Sequence, residues 1–337
     1  MGKIVSNDNL TYLFYWCCER MNIFWKRYNG EQYPWTDDEI LQQYKFTNVY
    51  RVLDRSSQYM LRTVIYNGKQ YSPEDMFFRI LLYKHFNLPD TWDALIEEFG
   101  DITYDTGWEN IARFLDDRSR QDITIYSNAF MLTGWFYSLP EYANIRGTSK
   151  HRGYFEVFKR RIFDNGKIDA FLNAASFEEL FGMFKGLEPF SDFMSQQYCL
   201  DLNYSPLYNF TENDFVAVGP GSKRGIQFAF KGDHRDDSEV VIRWTQEHFE
   251  ELMTKFCQDS GMIWNPLPWE PVPTLTNIQN CFCELSKYAK CMGVQFKKNT
   301  KGRMKNLYTT PKSEIPYMFP RKWNVKMPLK GQIETYK

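Results

Sequence analysis

The sequence predicts an all-α fold that contains a helix-hairpin-helix unit, on three observations. Apolar residues recur at three-and-four spacing through most of the chain, and no stretch alternates in the manner of a sheet strand. Helix boundaries are written in local chemistry, as in Asn29-Gly30, Ser72-Pro73 and Gly219-Pro220. Between Phe177 and Leu202 a short helical pattern, a tight connection and a second helical pattern follow one another.

The first helix is predicted from Leu10 to Tyr28, with Leu13, Trp16, Cys17, Met21 and Phe24 on one side, and Asn29-Gly30 ends it. Thr36-Asp-Asp-Glu39 reads as a capping box in which Thr36 accepts from the Glu39 amide, so that a helix begins at Asp37. The stretch Phe46 to Arg62, FTNVYRVLDRSSQYMLR, predicts a helix with two stripes. Val49, Leu53, Ser56, Met60 and Val64 mark a buried face; Asn48, Arg51, Arg55, Gln58 and Arg62 mark another, with Asp54 beside Arg55. A row of guanidinium and amide donors suits phosphates and base edges. The alternative is a solvated face with Asp54 as a local ion-pair partner.

Beyond the Asn67-Gly68 turn, Ser72-Pro73 caps a helix from Met76 to Phe86, and Trp92–Phe99, Trp108–Asp116, Ile123–Phe136, Tyr154–Phe163 and Ile168–Asn173 continue the series. In the hairpin, Gly186 is expected to take a positive φ and Pro189 to open the next helix, which places Asp201 at that helix's end. Val218-Gly-Pro-Gly-Ser-Lys-Arg-Gly225 lacks the Lys-Ser/Thr of a nucleotide P-loop. A turn through Gly219 and Gly221 that opens a helix exposes backbone amides beside Lys223 and Arg224, which suits one phosphate group; a plain structural turn is the alternative. Glu239 to Asp259 reads as helical, Asn265 to Thr274 as an irregular connector, and Thr276 to Tyr288 as a final core helix bearing Glu284 and Lys287 three apart.

The 337 residues are expected to form one helical body over residues 1–295 and a basic arm over 296–337. Aromatic residues are frequent, 28 Phe, 22 Tyr and 10 Trp, which favours thick helix packing or stacking surfaces over a Leu/Ala bundle. Net charge is −1, so the chain as a whole does not announce a polyanionic partner, but the charge is uneven. Lys297, Lys298, Lys301, Arg303, Lys305, Lys312, Arg321, Lys322, Lys326 and Lys330 face the lone acid Glu314, and Arg146, Lys150, His151, Arg152, Lys159, Arg160 and Arg161 make a second basic cluster. Such clusters can track a nucleic-acid backbone. The seven cysteines show no disulfide framework, and Cys281-x-Cys283 with Cys291 lacks the partners of a zinc site, so no metal centre is expected and a reducing, cytoplasmic or nuclear setting is. No apolar run of membrane-spanning length occurs.

Several motifs in one order resemble the α-glutamyl/putrescinyl thymine pyrophosphorylase family, also met as the helical domain of 5-hydroxymethyluracil DNA kinases. They are Trp16-x-x-Glu19-Arg20, Pro34-Trp35-Thr36, Phe46-Thr-Asn48-Val-Tyr-Arg51-Val-Leu-Asp54-Arg55 and Gly186-Leu-Glu-Pro189-Phe190. Asp201-Leu-x-Tyr204-Ser-Pro206, Gly219-Pro-Gly-Ser-Lys-Arg224-Gly225 and Cys283-Glu284-Leu-Ser-Lys287-Tyr288 follow, the last with Leu-Ser where Phe-Asp is commoner. The resemblance implies a helix-hairpin-helix DNA glycosylase-like fold and a role in thymine hypermodification of viral DNA. It implies a transferase that replaces the phosphate or pyrophosphate on 5-hydroxymethyluracil in DNA with an amine or amino acid, after a separate DNA-base kinase has acted. Mg2+ is expected to accompany the pyrophosphate. Asp54 and Asp201 are then the candidate carboxylates and Arg51, Arg55 and Arg62 the phosphate ligands, with Asn48, Gln58, Gly186, Gly219, Gly221, Lys223 and Arg224 on DNA and Tyr204, Glu284 and Lys287 nearby. A glycosylase acting on a modified base and a non-catalytic DNA-binding module are the competing readings.

Overall fold

A computed structural model describes residues 4–127, 139–145, 148–188, 190–296, 307–309 and 316–336. These residues are predominantly helical, as expected, and among them extended pairing is confined to isolated bridges of Ser6 with Phe230, Tyr44 with Leu307 and Leu267 with Glu270. They divide into two compact units. One comprises Met1–Asp54, Glu212–Tyr317 and Val325–Lys337; the other comprises Arg55–Thr211 and Met318–Asn324.

The first unit opens with helix α1 (Thr11–Asn29), which buries Trp16, Cys17, Met21 and Trp25 completely and is closed by Gly30 at φ 85°. Helix α2 (Glu39–Gln43) is short, and its cap is Asp38, which accepts from the Leu41 amide. The expected Thr36–Glu39 box does not form. Thr36 donates its hydroxyl to Glu19 Oε2 at 2.5 Å, because a buried carboxylate needs a donor more than an exposed helix end does.

The single helix expected over residues 46–62 is also absent. Arg51–Leu53 is a 3-10 turn, Asp54 has extended backbone (φ −66°, ψ 143°), and helix α3 (Arg55–Tyr59) runs into a π-helical turn at Met60–Ile65. The two short polar side chains explain the break. Asn48 Oδ1 accepts from the Val49 amide at 2.8 Å and Asp54 Oδ1 from the Asn48 amide at 2.7 Å, taking backbone donors that a helix would have used.

The second unit is built around α4 (Pro73–Phe86), capped by Ser72 and buried on nearly every side by Phe77, Phe78, Ile80, Leu81, Leu82 and Phe86. Helices α5 (Pro89–Phe99), α6 (Trp108–Arg120), α7 (Lys150–Phe158) and α8 (Ile168–Leu172) surround it. Of the helix expected over Ile123–Phe136, residues 123–127 are not helical and the remainder lies outside the described residues, as do Pro189 and Arg146. Two successive helices form over the expected stretch: α9 (Phe177–Lys185) and α10 (Asp192–Asn203) are capped by Ser176 and Ser191, and Phe184 stacks on both Phe77 and Tyr198. Gly186 sits at φ −72°, not in the left-handed region, since the connection continues the helical turn with the Leu187 amide on the Phe184 carbonyl at 3.0 Å.

The chain then returns to the first unit as α11 (Pro220–Ala229), α12 (Ser238–Glu247), α13 (Phe249–Ser260) and α14 (Leu275–Cys291). The helix expected over 239–259 is thus two, broken at His248. Helices α11 and α14 touch backbone to backbone: a Cβ on Gly225 would lie 2.0 Å from the Phe282 carbonyl oxygen, and one on Gly221 2.4 Å from Cys283 Sγ. Neither glycine has positive φ, so close approach, not turn geometry, is what selects them.

The basic C-terminal residues divide. Lys297, Lys298, Lys301, Arg303, Lys305 and Lys312 lie outside the described residues, whereas residues 328–336 form a strap along the first unit. Asn22 pairs with the Tyr336 backbone in both directions (2.9 and 3.0 Å), Asn29 Oδ1 accepts from the Gly331 amide, and Tyr28 donates to the Pro328 carbonyl at 2.7 Å. Residues 318–324 belong to the second unit. There Gln58 pairs with both backbone groups of Met318 (2.9 and 2.8 Å), and Lys322 Nζ donates to the carbonyls of Asn203, Ser205 and Tyr208 just beyond α10.

Candidate functional site

In the first unit α14 presents a polar stripe, Asn277, Asn280, Glu284 and Lys287, at spacings of three, four and three. The stripe grips the irregular stretch 47–51. Asn277 Oδ1 accepts from the Arg51 amide at 2.9 Å, and Asn280 Nδ2 donates to Thr47 Oγ1 and the Asn48 carbonyl at 3.2 and 3.1 Å. Glu284 Oε2 accepts from the Thr47 amide at 3.1 Å. From α1, Arg20 Nε donates to the Thr47 carbonyl at 2.9 Å. The loop is therefore held open in a non-helical form with Asp54 closing it on the Asn48 amide.

These contacts collect charge. Burial raises the Asp54 carboxyl, against the pull of the Asn48 amide, Arg51 and Arg20 and with the repulsion of Glu284, to about 6. Glu284 is wholly buried and accepts from Lys287 Nζ at 2.6 Å. Burial alone would lower the Lys287 ammonium, but Glu284 and Cys283 outweigh it and the net shift is upward. Lys290 is lowered by burial and by Arg224 and Lys287, so three cations stand within reach of one another where α11 meets α14. Such a site offers a carboxylate poised to take a proton near neutrality beside guanidinium and ammonium groups able to neutralise phosphate.

Of the residues singled out from sequence, Asn48, Arg51, Asp54, Glu284 and Lys287 come together here. Gly219 caps α11, Gly221 packs on Cys283, and Lys223 and Arg224 are half-buried on that helix. The others belong to the second unit. Arg55 is exposed, Arg62 Nε donates to the Gln58 carbonyl at 3.2 Å, and Gln58 is fully buried on Met318. Asp201 is buried, 3.0 Å from the equally buried Lys84, and Tyr204 is buried with its carbonyl accepting from Tyr66 at 2.9 Å. The polar row read along 46–62 is thus shared between two bodies. Arg20, Asn277 and Asn280 were not singled out from sequence; the stripe on α14 was the signal for the two asparagines, and the Glu19-Arg20 motif for the arginine. Among the described residues no cluster of three or more metal-ligating side chains occurs, and no helix is long and apolar enough to cross a membrane.

The family is the 5-hmdU DNA kinase helical domain: its model matches residues 7–298, and the chain belongs to it. A relative from Bacillus phage SP10, a 5-hmdU DNA kinase, is 25% identical over 321 residues, which cover 90% of this chain and 48% of the relative. The chain thus spans about half the length of that protein. No solved structure matches.

Proposed function

We propose that this chain is a DNA-base hypermodification transferase acting on 5-hydroxymethyluracil in DNA after a separate kinase has added phosphate or pyrophosphate. The observation that carries the reading is the convergence of Arg20, Arg51, Asp54, Glu284 and Lys287, drawn from three distant parts of the sequence, on one loop of the first unit. Membership of the 5-hmdU DNA kinase helical-domain family supports it. In the reaction, the nitrogen of an amine attacks the methylene carbon on C5 of the base. A C–N bond forms, the C–O bond breaks, and pyrophosphate departs with the bonding pair; Mg2+ bound to it would share in neutralising its charge. Asp54 takes the proton lost by the amine, while Arg20, Arg51 and Lys287 offset the charge on the leaving group. The base is reached by extrusion from the stack.

Nucleoside mass spectrometry tests this directly. DNA containing 5-hydroxymethyluracil, incubated with the kinase, this protein and a pool of amines, is expected to yield a base heavier by the amine, with intact strands. Abasic sites would instead mark a glycosylase. Unchanged nucleosides with DNA retained on the protein would mark a binding module.

A further inference from the structure

The Pro34-Trp35-Thr36 motif has no part in the chemistry above, yet it lies beside it. Tyr33 is 47% exposed, and its ring is nearly perpendicular to Trp35 (86°, centroids 5.3 Å apart) and nearly parallel to Tyr308 (18°, 6.4 Å). Trp35 is fixed by its indole N–H on the Glu31 carbonyl at 2.8 Å, and the Arg27 guanidinium lies 5.1 Å over its ring. Tyr308 is anchored by its amide on the Gln43 carbonyl at 2.9 Å. Thr36 of the motif donates to Glu19 at 2.5 Å, and the next residue, Arg20, donates to the Thr47 carbonyl at 2.9 Å, which connects the aromatic wall to the loop that Asp54 closes on the Asn48 amide.

An exposed tyrosine ring beside a half-buried tryptophan that carries the Arg27 guanidinium over its ring matches the chemistry of an unpaired nucleobase. Every base offers a π-face to stack, and its flanking phosphates meet the arginines. We propose that Tyr33, Trp35 and Arg27 form a stacking wall that receives an unpaired pyrimidine of the DNA substrate and presents it toward Asp54. The inference rests on the DNA-base reading above and adds the residues that hold the base.

Fluorescence anisotropy with two labelled DNAs decides it: a fully paired duplex and the same duplex with one unpaired thymine. The wild-type chain is expected to prefer the bulged duplex. Trp35→Ala and Tyr33→Ala should each weaken binding to the bulge by at least about 5-fold while leaving the paired duplex unaffected, and Trp35→Phe should retain most of the preference. Tyr12→Ala, an exposed aromatic elsewhere on α1, serves as the control, and thermal melts verify folding of every variant. Unchanged bulge affinity in both alanine variants overturns the wall, as does an equal loss on bulged and paired DNA. Mass spectrometry of the wild-type product separates the two claims. Product formation with no effect of Trp35→Ala on bulge binding removes the wall alone, whereas an intact bulge preference without product removes the transfer reaction alone.

Discussion

If Asp54 is the general base proposed above, two expectations follow from its lowered acidity. Asp54→Asn keeps the side chain's size, and its amide can still accept from Asn48, so folding should survive while product formation falls by about 10²-fold or more, as for loss of a general base. With wild type, kcat/KM should fall as pH drops below about 6, where the carboxyl is protonated and can accept nothing, and that acid limb should vanish in Asp54→Asn. Glu270 makes a contrasting case. Burial and the facing Glu212 raise it to about 8, so the folded chain binds this proton more tightly than the unfolded chain does. The stability it contributes is complete at low pH and is lost as pH rises through about 8. The melting temperature of wild type relative to Glu270→Gln should therefore decline from pH 5 to pH 8, and parallel curves would remove the argument. At this scale the sequence names candidate residues and leaves their surroundings unstated. Asp54 and Asp201 are both aspartates within recognisable motifs. Only their surroundings separate a loop carboxylate among cations from one sealed 3.0 Å from Lys84. For Asp201→Asn we expect a loss of about 3–5 kcal/mol in denaturant unfolding, because the Lys84 ammonium keeps its burial and loses its facing charge. Normal stability with abolished turnover would return Asp201 to the chemistry.

The paired helices α11 and α14 show what periodicity can and cannot reveal. Both were legible as helices, and the Gly-Pro opening of α11 was legible as a helix start. Their contact was not, because a glycine chosen for close approach looks in sequence like one chosen for a turn. The two cases differ in their response to a methyl group. Gly225→Ala presses on the backbone of α14, which cannot rotate away, and should cost about 1–3 kcal/mol or more, whereas Gly221→Ala presses on the Cys283 side chain and should be largely relieved by Cys283→Ala. Equal effects of the two single changes, read by chemical denaturation, would contradict this packing. The stretch 46–54 failed as a helix for a local reason that was visible in its composition: Asn48 and Asp54 are six apart and both prefer backbone amides to helical neighbours. Of the apolar stripe counted there, Val49, Leu53, Met60 and Val64 are buried and Ser56 is half-buried, but burial does not fix the backbone that achieves it.

At the scale of the whole chain, the helical class was written in the sequence and the division into two units was not. Both units are assembled from segments far apart in sequence, and no linker of Pro, Gly or Ser marks the crossings. The late basic residues were read by charge as an arm for DNA. Of those described, Lys322 spends its charge on three carbonyls beyond α10, and the strap 328–336 is tied to α1. Lys322→Met should accordingly destabilise the protein by about 1–3 kcal/mol, since carbonyls that lose a charged donor remain buried. Unaltered unfolding with a flattened salt dependence of DNA binding would restore the arm. The same architecture has a consequence for synthesis. Residues 55–211 leave the ribosome early, yet the lysine that completes their unit emerges more than a hundred residues later. At translation rates of about 5–20 residues per second, that wait is roughly 6–20 seconds. During it the nascent chain must hold the end of α10 without its cation, so this unit finishes folding after its own sequence has been made.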